Sequence, residues 1–263
     1  SLCGLVLLGA VLLEHILSSL QEQDKMPQKA AVVKSIVTTE LFTKIAAFYE
    51  KPTFNVLTGF KYIAEKIRNW ETDEENYQFL FGAEESSGFL RGTLVRDKDA
   101  ISISCIFCEM ALKAKLEKKT LYQKLIELYK KHGIHQSETV SISFEEGEKG
   151  MQKMEMLMKR LRDTPIDTIG NIKIIHMSDY LTQKSKDLIT GKTEKLDLPS
   201  SNAISFKLDD MSLITIRPSG TEPKLKIYVE VVEENVDRFD EMLVLCKERL
   251  LALVETVKLT LTQ

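Results

Sequence analysis

The sequence has no basic excess, no set of cysteines for a disulfide framework and no apolar run long enough to span a bilayer. Against 36 Lys and Arg stand 39 Asp and Glu, giving a formal charge of -3 and a pI near 5.9. Nucleic-acid binders normally concentrate positive charge on one face, so this balance argues against that class. Charge is mixed along the chain, with no tail of one sign. Cys3, Cys105, Cys108 and Cys246 are too few and too scattered for a disulfide scaffold, so reduced, cytoplasmic thiols are expected. Cys105 and Cys108 form a C-x-x-C, but no second such pair and no paired histidines complete a zinc site. The surrounding "ISISCIFCEMALKAKL" reads as a buried helix with both cysteines as small core residues. There is no G-x-S-x-G elbow, Walker loop or G-x-G-x-x-G fingerprint. His15, His132, His135 and His176 lack ligand spacing, and no internal repeat is visible.

What is present is core material. With 263 residues and 43% hydrophobic content, the chain can fill one large domain or two ordinary ones. The opening "SLCGLVLLGAVLLEHIL" is apolar like a signal peptide but lacks a positive start and is interrupted by Glu14 and His15. It is also short for a membrane span, so a core helix from within a longer protein is expected. Next, "AAVVKSIV", "TFNVLTG" and "YQFLFGAEESSG" read as strands. They alternate with helices in "TTELFTKIAAFY", with threonines suited to its N-cap, in "FKYIAEKIRNW", and from about Asp97 to Lys118. A further helix, "TLYQKLIELYKKHG", stops at Gly133. This alternation predicts a parallel-type α/β layer domain. Beyond Gly133, "ETVSISFE", "IKIIHM", "AISFKL", "SLITIR" and "LKIYVEVV" read as successive strands. With helices in "EKGMQKMEMLMKRLRD" and from about Val236 to Val257, they predict an α+β domain whose antiparallel sheet is covered by helices. The polar "TQKSKDLITGKTEKLDLPSSN" reads as loop.

Four stretches carry candidate chemistry. "RPSGTEP", residues 217–223, joins two alternating runs. After it, Leu225, Ile227, Val229 and Val231 share one face, and Lys224, Lys226, Tyr228 and Glu230 the other. Arg217 offers a planar fork for phosphate oxygens, Ser219 and Thr221 offer hydroxyls, and Gly220 lets a backbone approach a ligand, with Lys226 close by. Good turn chemistry alone explains the same residues, so both readings stay open. In "FGAEESSGFL", residues 81–90, Glu84 and Glu85 end a strand where α/β folds place ligand loops. Carboxylates there, and Ser86, can bond sugar hydroxyls; a solvated acidic loop is the plain alternative. "TGFK", residues 58–61, is a strand-to-helix turn able to hold a hydroxyl or an anion. In "VRDKDA", residues 95–100, Lys98 opposes the dipole of the helix it starts, which hints at a task beyond exposure.

In this order, "TGFKYI", "GAEESSGFL", "VRDKDA" and "RPSGTEPKLKIYVE" resemble the C-terminal half of the α-D-phosphohexomutases, the phosphoglucomutase/phosphomannomutase family. The resemblance covers essentially the whole chain. It implies a three-layer α/β third mutase domain over 29–133 and a fourth, C-terminal domain over 134–263. "VLLEHIL" looks like the helix ending the family's second domain, so residues 1–28 are expected as its remnant. By resemblance, Thr58, Gly59, Glu84 and Ser86 bind the sugar, Lys98 sits near the transferred phosphate, and Arg217, Ser219, Gly220, Thr221 and Lys226 hold the phosphate that is not reacting. The implied reaction interconverts glucose 1-phosphate and glucose 6-phosphate through a phosphoserine and glucose 1,6-bisphosphate, with Mg2+. The family's serine loop and aspartate-rich metal loop are absent from this sequence. An N-terminal half, in cis or in trans, is therefore the expected partner, and the chain alone is expected to be inactive. "GAEESSGFL" has serine where relatives often have an aromatic, leaving phosphomannomutase and phosphopentomutase readings open. A non-catalytic sugar-phosphate-binding module is the other alternative.

Overall fold

A computed structural model describes residues 2–72, 76–85, 88–164, 166–220 and 222–262. The chain divides into two compact units, 1–133 and 134–263.

The first unit runs α1 (Leu2–Glu22), β1 (Ala30–Ser35), α2 (Leu41–Phe48), β2 (Thr53–Val56), α3 (Phe60–Thr72), β3 (Gln78–Glu84), β4 (Gly88–Arg91), α4 (Ala100–Leu116) and α5 (Leu121–His132). Its sheet has the order β2-β1-β3-β4, with β1 parallel to β2 and β3. Central β1 is buried at every position, as expected for a parallel strand covered on both faces. Ala31, Val33 and Phe79 pack with Ile63, Ile67 and Trp70 of α3. On the other face, Phe42 of α2 stacks on Phe81 with centroids 6.2 Å apart, beside the buried Leu12, Leu13 and Leu17 of α1. At the edge of this sheet β4 runs antiparallel to β3. Helix α1 packs against α2, α4 and α5 inside this unit.

Two local expectations need correction. The threonines do not cap α2 as its N-cap residue: that position is Glu40, without a side-chain cap, although Thr39 Oγ1 accepts from Leu41 N at 3.1 Å. Helix α4 is not a buried helix either. Only Met110 and Ala114 are buried, and Cys105 and Cys108 are exposed, because the helix meets β4, α1 and α5 through one face alone. It begins one residue after Asp99, whose carboxylate accepts from Ile101 N and Ser102 N at 3.0 and 3.1 Å.

The second unit runs β5 (Ile134–Ser143), α6 (Glu148–Asp163), β6 (Thr168–Ile169), β7 (Ile172–Asp179), β8 (Lys184–Asp187), β9 (Thr193–Lys195), β10 (Ile204–Leu208), β11 (Leu213–Pro218), β12 (Lys224–Glu233) and α7 (Phe239–Thr262). Its sheet is antiparallel in the order β5-β12-β11-β10-β7-β8-β9, with β6 beside β7 and α7 lying against β5 and β12. The stretch read as loop therefore contains β8 and β9. These are short edge strands, Lys184–Asp187 and Thr193–Lys195, with no buried residue, so no apolar alternation marks them. Among the described residues no helix is long and apolar enough to cross a membrane.

One buried charge organises the first unit. Lys34, fully buried at the end of β1, donates from Nζ to the Thr38 carbonyl at 2.9 Å and to Glu40 Oε1 at 2.8 Å. The pair holds the turn from β1 into α2. Removing the carboxylate leaves a desolvated ammonium, which is costly. Glu40→Ala should therefore lower the unfolding free energy by about 2 kcal/mol in urea titration, discounted because Glu40 is partly exposed. Exposed Glu65→Ala should change it by less than about 0.5 kcal/mol.

Candidate functional site

In the first unit, three chain segments converge at the strand ends. β2 leads through Thr58 and Gly59 into α3; β3 ends at Glu84; and the segment before α4 carries Lys98. Glu84 joins them. It is buried, accepts from the Gly59 amide through Oε1 in a very short bond, and lies 3.6 Å from Lys98 Nζ through Oε2. Gly59 has φ +124°, a conformation favouring glycine, which turns its N–H toward the carboxylate. Gly88, opposite Glu84 in the β3–β4 register, is where Lys98 crosses: a Cβ there would lie 2.5 Å from Lys98 Cδ. The Lys98 ammonium sits 5.0 Å from the Phe60 ring centroid and 3.4 Å from Asp97 Oδ1. The Lys98 backbone amide, helped by its ammonium, holds the Asp97 carboxyl below its ordinary range.

Thus Gly59, Glu84 and Lys98 come together, with Thr58 adjacent in sequence, and Glu85 is buried next to Glu84. Ser86 lies outside the described residues. Gly88 belongs to the loop that the resemblance assigns to the sugar, whereas Phe60 carries no expected role. The signal for Phe60 is its place after Gly59 in the turn, and for Gly88 its place after the paired serines.

In the second unit the register of β12 is decisive. Leu225, Ile227 and Val229 are buried on one face and partner Pro218, Ile216 and Ile214 of β11. The same register sets Arg217 directly opposite Lys226, which in turn faces Ser141 of β5. Cross-strand partners share a face with Cβ atoms about 5 Å apart, and like charges so placed repel. Two cations in register raise the positive potential of that part of the strand pair. The turn beyond is closed by the Ser219 amide donating to the Lys224 carbonyl at 2.7 Å. A Cβ on Gly220 would meet no atom within 4 Å, so packing does not demand glycine there. Thr221 lies outside the described residues. Further along the same face of β12, His135 Nδ1 and Glu230 Oε1 form a buried pair at 2.9 Å that spacing did not reveal.

Two sequence profiles match. Residues 8–132 match the phosphoglucomutase/phosphomannomutase α/β/α domain III, and residues 175–245 match the C-terminal domain of the same family. The chain belongs to the phosphoglucomutase/phosphomannomutase family. The third-domain match begins within α1, at Leu8. A phosphoglucomutase of Staphylococcus haemolyticus is 37% identical over 235 residues, covering 89% of this chain and 41% of that protein. One from Staphylococcus aureus MRSA252 is 37% identical over 224 residues, covering 85% and 39%. The chain thus spans about two fifths of these relatives. The open form of Paramecium pp63/parafusin, a phosphoglucomutase, shares the fold with a TM-score of 0.55 at 17% identity, over 95% of this chain and 42% of that one. Among the described residues no group of three His, Cys, Asp or Glu side chains fits a metal ion.

The geometry makes Glu84 a structural as well as a candidate binding group. Glu84→Ala should destabilise the first unit by about 2 kcal/mol in urea titration, because it removes a charged acceptor from the Gly59 amide. Lys98→Met removes an ion pair whose lysine is exposed and whose carboxylate is buried, for which about 1 kcal/mol is expected.

Proposed function

We propose that this chain is the substrate-binding half of a cytoplasmic phosphoglucomutase that interconverts glucose 1-phosphate and glucose 6-phosphate. The observation that carries this reading is the register that sets Arg217 opposite Lys226 beside the Ser219–Gly220 turn. Such a seat suits a dianionic phosphate, which a bidentate guanidinium and an ammonium bind with no demand on the sugar's orientation. In this reading Arg217, Lys226, Ser219, Gly220 and Thr221 hold the phosphate that is not reacting. Binding energy taken from that remote group positions the reacting end. In the first unit, Glu84 and Ser86 accept from sugar hydroxyls, and Thr58 and Gly59 flank them. Lys98 supplies positive charge where a phosphoryl group passes its charge between oxygens.

The phosphoserine that donates the phosphoryl group and the ligands of a magnesium ion would belong to the portion of the enzyme that this chain does not span. The residues described here fit no metal, so no step is assigned through one. Glucose 1,6-bisphosphate, the intermediate of this chemistry, presents a phosphate at either end and suits a seat built of general donors. The chain's two-fifths span of its relatives favours a second reading when it stands alone: a sugar-phosphate-binding module without turnover.

Calorimetry tests the assignment. The folded chain should bind glucose 6-phosphate and glucose 1,6-bisphosphate weakly, and Arg217→Ala should reduce affinity by at least about tenfold, the effect of losing about 1.4 kcal/mol of charge-assisted bonding. A folded chain whose binding is indifferent to Arg217→Ala would contradict it.

A further inference from the structure

Helices α1, α4 and α5 of the first unit meet around a cavity of about 280 Å3. One ion pair ties each pair of helices around it. Glu22 of α1 accepts from Lys113 of α4 at 2.7 Å, and Glu14 of α1 accepts from Lys131 of α5 at 3.2 Å. Glu117, the C-cap residue of α4, accepts from Lys124 of α5 at 2.6 Å. The floor is apolar, with Val11, Met110 and Leu128 buried along it. Each lysine of the wall already faces a carboxylate, so the cavity holds no cation in want of an anion. What it lacks is a donor. Glu14 Oε1 accepts from the Tyr49 hydroxyl at 2.9 Å as well as from Lys131. Glu14 Oε2 is buried and, among the described residues, has no hydrogen-bond partner. A buried carboxylate oxygen in that state is costly. The volume far exceeds the roughly 30 Å3 share of one water in the liquid, so a larger group fits. His15 also lines the cavity, 8% exposed, with Nε2 3.6 Å from Glu109 Oε1. Burial holds its imidazole below the ordinary range against the opposing pull of Glu109, so at neutral pH it adds no charge that would repel a cation.

We infer that this cavity binds a small aliphatic primary amine as its ammonium ion. One N–H donates to Glu14 Oε2, and the hydrocarbon chain packs on Val11, Met110 and Leu128. The bond is charge-assisted and gives the second carboxylate oxygen the partner that the fold does not supply. A metal ion suits the place less well, because it needs several ligands where an ammonium needs one carboxylate. Among the described residues no group of three His, Cys, Asp or Glu side chains fits such an ion. Ser18 stands one helical turn beyond Glu14 on the same wall, its hydroxyl donating to the His15 carbonyl at 3.2 Å. Met110 lies about 15 Å along α4 from Ala100, the residue that follows the Lys98–Asp99 segment. The site uses none of the residues assigned to the sugar phosphate and does not depend on that reading.

Butylammonium chloride is the probe, and the melting temperature of the full chain is the readout, with sodium chloride at equal ionic strength as the reference. A ligand that binds only the folded state raises the melting temperature with its concentration, so butylammonium should raise it saturably. Glu14→Gln keeps the shape of the side chain and removes its charge, and the apparent affinity should fall by at least about tenfold. Ser18→Leu fills the cavity and leaves the three ion pairs in place, so the chain should still melt cooperatively while the butylammonium effect is lost. This second variant decides the matter even where Glu14→Gln fails to fold. Three results overturn the inference: no rise beyond the sodium chloride reference, a rise unchanged in Ser18→Leu, or an equal rise with tetramethylammonium, which has the charge but no N–H to donate.

Discussion

The register of β12 is the constraint on which the second unit depends. Leu225, Ile227, Val229 and Val231 are all buried on one side of the strand, so a slip by one residue would turn them out and bring Lys224, Lys226 and Tyr228 in. Hydrophobic burial therefore fixes which polar residues meet across the strand pair, with Arg217 opposite Lys226. Sheet pairing to β5 on one side and β11 on the other leaves the strand no freedom to shift. An apolar register thus fixes where the two cations stand on the sheet.

The first unit uses the same logic with opposite charge. Glu84 is buried at the end of β3, where an isolated carboxylate would be costly, and the Gly59 amide and Lys98 offset that cost. Each partner comes from a different crossover of the sheet, so the fold brings the three together. Lys34 and Glu40 repeat the device one strand away, fixing the β1–α2 turn. Both units thus place their polar groups at strand ends and anchor them in a hydrophobic layer.

Much of this was legible in the sequence, and the losses have physical causes. β1, β3, β11 and β12 announced themselves because their residues are buried on one or both faces, which leaves an apolar pattern. β8 and β9 did not, because edge strands held by backbone bonds alone need no such pattern. The α4 sequence was read correctly as a helix and wrongly as a buried one, since sequence reports what a face prefers and not whether the described chain covers it. Of the site, Gly59, Glu84, Lys98 and Arg217 were visible as turn and strand-end residues. Lys226 drew notice only for nearness in sequence; its position opposite Arg217 needed the pairing. The approach of Lys98 to Gly88 and to the Phe60 ring is a contact between distant segments that no local spacing encodes.

In the function proposed above, the loops of each unit bind a sugar bearing phosphate. Heteronuclear amide NMR of the folded chain titrated with glucose 1,6-bisphosphate tests it most directly. The account predicts saturable shifts of the Gly59 and Gly88 amides in the first unit and of Ser219 and Gly220 in the second, with inorganic phosphate moving the second set alone. Shifts confined to regions away from these glycines, or none at saturating ligand, would contradict it.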